Sequence, residues 1–473
     1  MSRKAPFPDP HAPRLRVRPP ANWINDPNGP FRWRGRYHLF YQHNPAAPVH
    51  ANVHWGHVSS PDLVRWDHHP IALTPTPGGP DEAGCWSGCV VDDDGVPTAV
   101  YTGIDRQHTG VGTICLARAV PDDDALTVWR PVPEPVVTAP PAGLHVAMFR
   151  DPFVFRHGGR RWALVGAGHA DGTPSVLLYD CDDLLSWRFA GVLLDGRDPR
   201  AAEALGKDAT GWECPQLFET SDGHWVLVLS LWDGEPLSTG HLTGTLTAAG
   251  PDDPTPRFTP RSGGPLDHGR DFYAPAVLQD RAGGRVLLWG WSWEARSQDE
   301  VERAGWAGVL TAPRVVDIRA DGALSTVPAP ELERLRARPL PSQLPDAYEL
   351  FITATAPATV GLLRSAAGER VTLALDPAAG TVTLDRSGWP RQRAGGSGPL
   401  TLAAGPGAAP GGLTVRVLAD GSLLELFAGD AAVATERVYR RAGDVPELTT
   451  RGTGVQVTGW ELSGWEPDPP RHG

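Results

Sequence analysis

The apolar positions of this chain fall in short runs divided by tight turns, and stretches with a helical period are scarce. Phe31-Arg32-Trp33 and Tyr37-His38-Leu39-Phe40-Tyr41-Gln42 flank Gly35, which predicts a hairpin there. Asp92-Asp93-Asp94-Gly95 between apolar runs predicts a second one. Toward the end, residues 371–375, 381–384, 413–417 and 423–427 alternate in the manner of sandwich strands, and Asp420-Gly421 turns the last pair. The predicted class is all-β, in keeping with 54 Gly and 49 Pro.

A weak repeat runs through the first two thirds. Asp62-Leu63-Val64-Arg65-Trp66 recurs as Asp183-Leu184-Leu185-Ser186-Trp187, with a degraded copy at Leu126-Thr127-Val128-Trp129, so that the tryptophans lie 63 and 58 residues apart. A recurring β unit of that length is compatible with propeller blades, and equally with similar strand ends. A short helical pattern at Glu331-Leu332-Glu333-Arg334-Leu335-Arg336, followed by Pro-rich text to Pro345, divides the chain. The expected units are a basic, Pro-rich extended arm over 1–20, a larger unit over 21–325, a linker over 326–345 and a smaller one over 346–467.

Composition narrows the function classes. The chain has 473 residues with 43 basic and 55 acidic side chains, a net charge of −12, which argues against a nucleic-acid or anionic-membrane surface. It shows no transmembrane run and no apolar signal core, and its five cysteines (Cys85, Cys89, Cys115, Cys181, Cys214) are scattered and odd in number. Reduced thiols in a cytoplasm are the expectation. A metal site is not expected. Cys85 and Cys89 lack a second pair at zinc spacing, His54 and His57 would point to opposite faces of a strand, and the 92–95 run lacks the ligand spacing of a calcium loop.

Asparagine carries the strongest chemical hint. All five (Asn22, Asn25, Asn28, Asn44, Asn52) lie in one early segment, around Asn22-Trp23-Ile24-Asn25-Asp26-Pro27-Asn28-Gly29. By residue type this run is a turn. Its neighbours change the picture, because an aromatic beside a carboxylate and amides is how a protein grips a sugar: apolar face stacked, hydroxyls hydrogen-bonded. Eighteen tryptophans supply further platforms.

Cleaving a glycosidic bond with retention takes two carboxyls about 5 Å apart, one a nucleophile and one an acid and then a base. The candidates are Asp26, Asp151 in Arg150-Asp151-Pro152, and Glu213 in Trp212-Glu213-Cys214-Pro215. Arg-Asp-Pro also reads as a surface turn. Glu213 between Trp and Cys reads as partly buried, and burial raises a carboxyl toward proton donation near neutrality.

Trp-Ile-Asn-Asp-Pro-Asn-Gly resembles the signature of the β-fructofuranosidases, the invertases, levanases and inulinases of glycoside hydrolase family 32. Arg150-Asp151-Pro152, Glu213-Cys214, Asp271-Phe272-Tyr273-Ala274-Pro275 and Asp420 to Phe427 match the family in order. The resemblance implies a five-bladed β-propeller followed by a β-sandwich. It implies Asp26 as an ionised nucleophile, Asp151 as stabiliser of the transition state, and Glu213 as acid/base with a raised pKa. It further implies substrate contacts from Asn25, Gln42, Trp55, Trp86, Ser87, Arg150 and Tyr273, with no cofactor. Cys214 is expected to pack rather than react. Two departures stand out: Trp86 where Phe is common, and Gln216 where Asp often follows Glu-Cys-Pro, the latter bearing on the leaving group. The implied reaction releases fructosyl units from sucrose or short fructo-oligosaccharides. Sucrose phosphate, fructosyl transfer to a sugar, and a non-catalytic fructan-binding module remain open. Lys4 and Lys207 are the only lysines, and no arginine cluster is assigned to a phosphate.

Overall fold

The computed structural model describes residues 9–107, 110–250, 252–341, 343–366, 368–387, 398–405 and 412–464. Residues 1–8 of the expected arm and 465–467 of the expected sandwich lie outside them. Among the described residues the chain forms seven sheets and two short α-helices, and the all-β expectation holds.

Five sheets follow one another in sequence, each opening on the strand that matters for the site. Those opening strands are Asn22–Trp33, Gly84–Asp93, Val146–His157, Gly211–Glu219 and Tyr273–Asp280. Each packs against the opening strand of the next sheet, and the fifth packs against the first. Trp306–Ala307 then pairs in parallel with the start of Asn22–Trp33, tying the end of this region to its beginning. The approach is close: a Cβ on Gly166 would sit 2.4 Å from the Trp212 carbonyl oxygen, so only glycine fits there.

Local chemistry explains the connections. Arg34-Gly35 and Asp94-Gly95 both carry positive φ (47° and 82°, 52° and 86°), the two-residue turn that matches strand twist. The repeat seen in the sequence falls at one structural place. In the first, second and third sheets it leads from the third strand into the outer strand. There the indoles of Trp129 and Trp187 donate to the carbonyls of Leu126 and Leu184, each at 2.9 Å.

The last two sheets share a separate core. One has the order Arg336–Pro339, Val455–Leu462, Ala347–Ala354, Leu413–Asp420, Leu423–Ala428, Ala432–Arg437; the other runs Leu400–Ala403, Thr381–Asp385, Gly368–Asp376, Ala358–Ser365, Val445–Arg451. Their inward residues, among them Leu350, Ile352, Val360, Leu373, Val415 and Leu426, are fully buried together. The stretch expected to be a linker carries regular structure. Leu324–Pro328 closes the fifth sheet, Pro330–Leu335 is a 3₁₀ turn, and Arg336–Pro339 already belongs to the sixth. Pro328 and Pro339 sit at strand ends, where a missing N–H is tolerated.

Both apolar side chains and charge fill the seam between the two regions: Ala312, Leu332 and Leu335 cluster with Leu418, Phe427 and Val433. Arg314, completely buried, bonds Asp267 at 2.7 Å and Glu425 at 3.0 Å, and Arg16 of the N-terminal segment reaches the same Glu425 at 3.1 Å. Such a network costs desolvation and discriminates against any other packing of these faces.

Candidate active site

The five opening strands are each interrupted at one level. Register shifts fall between Ile24 and Pro27, Trp86 and Gly88, Arg150 and Phe153, Glu213 and Gln216, and Tyr273 and Ala276. The run that residue type alone makes a turn is therefore a bulged strand, as is Arg150-Asp151-Pro152. Bulges re-aim side chains out of the ladder. Asp151, Cys214 and Ala274 take the left-handed conformation, with φ of 64°, 46° and 48°. Non-glycine residues take that conformation at some cost, and such strain gathers at functional sites.

The bulges bring the three carboxyls of the sequence reading together. Asp26 accepts from Ser87 Oγ at 2.5 Å, Gln42 Nε2 at 3.1 Å and Asn25 Nδ2 at 3.2 Å. Trp23 Nε1 in turn donates to Asn25 Oδ1 at 2.8 Å and fixes that amide. Asp151 accepts from the Cys214 backbone N–H at 3.0 Å, while its own N–H donates to Thr102 Oγ1 at 2.8 Å. Glu213 takes Arg150 through Nε and Nη2 at 2.8 and 2.7 Å, and lies 2.6 Å from the Tyr273 hydroxyl. That hydroxyl is also 3.0 Å from the Leu231 carbonyl oxygen. A phenol has one hydrogen, so the Tyr273 hydroxyl donates to one of these two oxygens at a time.

Asp26 was expected to be held ionised by its donors. Burial pushes it up to about 6, against the pull of the Ser87 hydroxyl and with the charge of Glu213 adding to the rise, so it is ionised above that pH. Burial and Glu213 likewise push Asp151 up to about 7, against the pull of Arg150. Three carboxyls in one desolvated space cannot all hold charge cheaply.

Several residues sit elsewhere than expected. Trp55 is fully buried and donates to the Trp86 carbonyl at 3.0 Å, so it supports the strand beneath the pocket instead of facing a sugar. Gln216 bonds the Pro215 carbonyl and the Val277 N–H. It lines a 560 Å³ cavity with Gly29, Val90, Phe155 and Gln279, toward the opposite end of the opening strands, so its departure from the family bears on that channel and not on the leaving group. Cys214 does more than pack: its Sγ lies 3.6 Å from Asp26 and 3.5 Å from Asp151. Burial, with the two aspartates beside it, raises the thiol well above its usual range and keeps it a donor. His50, His54 and His57 do not converge. His57 pairs with His38 at 3.0 Å, His54 bonds the Asn52 carbonyl, and His50 lies edge-on to Trp23 and Trp86.

Sequence reasoning missed Trp232 and Thr102. The Arg150 guanidinium lies 5.1 Å from the Trp232 ring and 5.7 Å from that of Trp86, so the two indoles flank the cation that grips Glu213. A signal for these strands was present. Pro27, Gly88, Pro152, Pro215 and Pro275 follow one another at 61, 64, 63 and 60 residues, one per bulge.

Residues 17–328 match the N-terminal domain of glycosyl hydrolases family 32, and residues 334–461 match the family's C-terminal domain. A raffinose invertase of Escherichia coli is 32% identical over 455 residues, 91% of this chain and 90% of the relative. A sucrose-6-phosphate hydrolase of Bacillus subtilis is 33% identical over 343 residues, covering 69% of this chain and 67% of its own. The solved Bombyx mori family 32 β-fructofuranosidase BmSUC1 superposes with a TM-score of 0.78 at 27% identity, over 96% of this chain and 94% of the other.

Proposed function

Since the chain belongs to glycosyl hydrolase family 32, we propose that it is a β-fructofuranosidase releasing terminal fructosyl units from sucrose or short fructo-oligosaccharides with retention of configuration. The observation that carries the reading is the meeting of Asp26, Asp151 and Glu213 at the bulges of three opening strands, with the Tyr273 hydroxyl hydrogen-bonded to Glu213. We read the ring of five sheets over 21–325 as a five-bladed propeller, 346–467 as the sandwich, and 326–345 as the connection between them.

In this mechanism Asp26, ionised, attacks the anomeric carbon while Glu213 gives its proton to the departing oxygen. A bond from an Asp26 carboxylate oxygen to the anomeric carbon forms as the glycosidic bond breaks, and glucose leaves. Asp151, fixed by the Cys214 and Thr102 bonds, holds fructosyl hydroxyls most strongly as the ring flattens, which is where such a contact accelerates the step. Glu213 then takes a proton from water, which releases fructose and restores Asp26. Asn25, Gln42 and Ser87 hold the nucleophile, and Trp86 offers its face to the sugar.

A neutral sugar fits better than a phosphorylated one. Arg150 gives three of its five N–H donors to Glu213 and the Gly110 carbonyl, so its main anionic partner is Glu213 and not a phosphate. Water as acceptor, rather than a second sugar, and a cytoplasmic location complete the reading; the five buried free cysteines support the latter. The experiment is glucose and fructose release from sucrose, compared by kcat/KM with sucrose phosphate, a fructosyl trisaccharide and inulin, and with cell fractionation alongside. No glucose release from sucrose would refute the enzyme; preference for sucrose phosphate or inulin would refute the substrate.

A further inference from the structure

The smaller, C-terminal unit reaches the chemistry through the segment that carries Tyr273. Residues 267–271 run beside the strand Ala432–Arg437. His268 N–H donates to the Val433 carbonyl at 2.8 Å, Asp271 N–H to the Thr435 carbonyl at 3.2 Å, and Arg270 N–H to Glu436 at 2.8 Å. In return Thr435 and Arg437 donate their backbone N–H groups to Asp267 and Asp271, at 2.9 and 2.8 Å. The fit is close enough that a Cβ on Gly269 would meet the Thr435 carbonyl oxygen at 2.0 Å.

Asp271 is fully buried, and its other carboxylate oxygen accepts from Trp293 Nε1 at 3.0 Å. The Trp293 ring lies tilted against Tyr273 with centroids 5.6 Å apart. Tyr273 is the residue that touches both Glu213 and the Leu231 carbonyl. A continuous set of contacts therefore runs from Arg437 through Asp271 and Trp293 to the phenol that is hydrogen-bonded to Glu213. A buried carboxylate accepting both an indole N–H and a backbone N–H holds the indole in one orientation, because rotating it strands a buried charge-assisted bond.

We propose that Asp271 and Trp293 are positioning residues for proton donation: fastened by the C-terminal unit, they hold the Tyr273 hydroxyl where it aligns Glu213 with the leaving oxygen. This rests on the fructosidase reading above. Trp293→Phe removes the N–H together with part of the buried ring system, leaves a smaller aromatic ring against Tyr273 and frees it to tilt. Asp271→Asn replaces an acceptor facing two donors by a group that satisfies one of them.

The test compares wild type, W293F, D271N, Y273F and the double variant W293F/Y273F on sucrose and on fructosyl fluoride, whose leaving group needs no proton. Each single variant is expected to lower kcat on sucrose by about tenfold, a fraction of the 10²–10⁴ that a positioned proton donor contributes, with KM unchanged and fructosyl fluoride cleaved near the wild-type rate. In the Y273F background W293F is expected to cost less than twofold, since its effect passes through the missing hydroxyl. Should W293F cost the same factor with and without Tyr273, or slow both substrates equally, its role is structural and the proposal falls. Wild-type kcat in W293F overturns it as well, and this variant stands alone should D271N not fold. An inactive wild type would instead sink the fructosidase reading, which keeps the two failures distinct.

Discussion

Replacing Asp26 by Asn should abolish hydrolysis and at the same time stabilise the fold. In the folded protein Asp26 titrates at about 6 instead of its ordinary 3.8, with burial the largest cause. A carboxyl raised on folding binds its proton more tightly in the native state. Its charged form is therefore a liability above the folded value, and the liability disappears below the unfolded one. At pH 7.5 the rise corresponds to about 3 kcal/mol. Solvent reaching the half-buried carboxyl screens part of this, leaving about 1–3 kcal/mol. Asn keeps the shape and can still accept from Ser87 and Gln42 through its oxygen, so little else is lost. For a cooperative unit of this size the gain is about 2–4 °C in Tm. The assay is thermal unfolding of both proteins between pH 3.5 and 8. The difference should be full above pH 7, shrink through pH 6 and vanish near pH 4. A variant no more stable than wild type at pH 7.5, or a gain that does not change with pH, would refute the argument that the site stores unfavourable charge.

Three further outcomes follow from the same geometry. The acid limb of kcat/KM on sucrose should lie near pH 6, where Asp26 and Asp151 gain protons as a coupled pair; Ser87→Ala removes a donor to the charged form and should move that limb upward by about half to one pH unit, and a downward or absent move would contradict the Ser87 assignment. Glu213→Ala should lose several orders of magnitude on sucrose yet keep much of the first step with fructosyl fluoride, whereas equal losses on both would take Glu213 out of the acid role. Truncation near Leu340 removes Glu425, a partner of buried Arg314, and bares the seam; insoluble protein is expected, and a soluble, stable remainder would argue that the seam is dispensable.

How much of this was legible in the chain depended on whether a feature is local. The hairpins at Gly35 and Asp94-Gly95 were, because two residues with positive φ decide them without outside help. The carboxyls were legible through their motifs, since chemistry dictates their types. The bulges were not. Asn-Asp-Pro-Asn-Gly and Arg-Asp-Pro have turn composition because a bulge and a turn make the same local demand: an N–H withdrawn from the ladder and a backbone bent out of it. Only pairing with a neighbouring strand distinguishes them, and pairing is non-local. Gln216 failed for a related reason: it stands three positions from Glu213, but a strand alternates faces and the bulge shifts that alternation, so proximity in sequence did not give exposure to the pocket. Trp55 lies on the regular strand His54–Ser60, all of it buried, and residue type alone does not separate a buried indole from a sugar platform.

The repeat of Pro27, Gly88, Pro152, Pro215 and Pro275 shows why this architecture suits the chemistry. A proline at a bulge offers no N–H, and a glycine accepts a backbone that others resist, so each opening strand breaks its ladder at one level at small cost. The residues just before those breaks are Asp26, Ser87, Asp151, Cys214 and Ala274, and the first four all touch the carboxyl cluster. The fifth strand instead presents Tyr273, one residue earlier, to Glu213. Each strand thus contributes one or two side chains to a shared point, while the paired strand on either side of the break keeps its direction fixed. The left-handed backbone at Asp151, Cys214 and Ala274 costs about 1–3 kcal/mol at each residue, and the charge held at Asp26 adds to it. The apolar cores on both sides of the seam offset that cost, so the site can remain strained and charged.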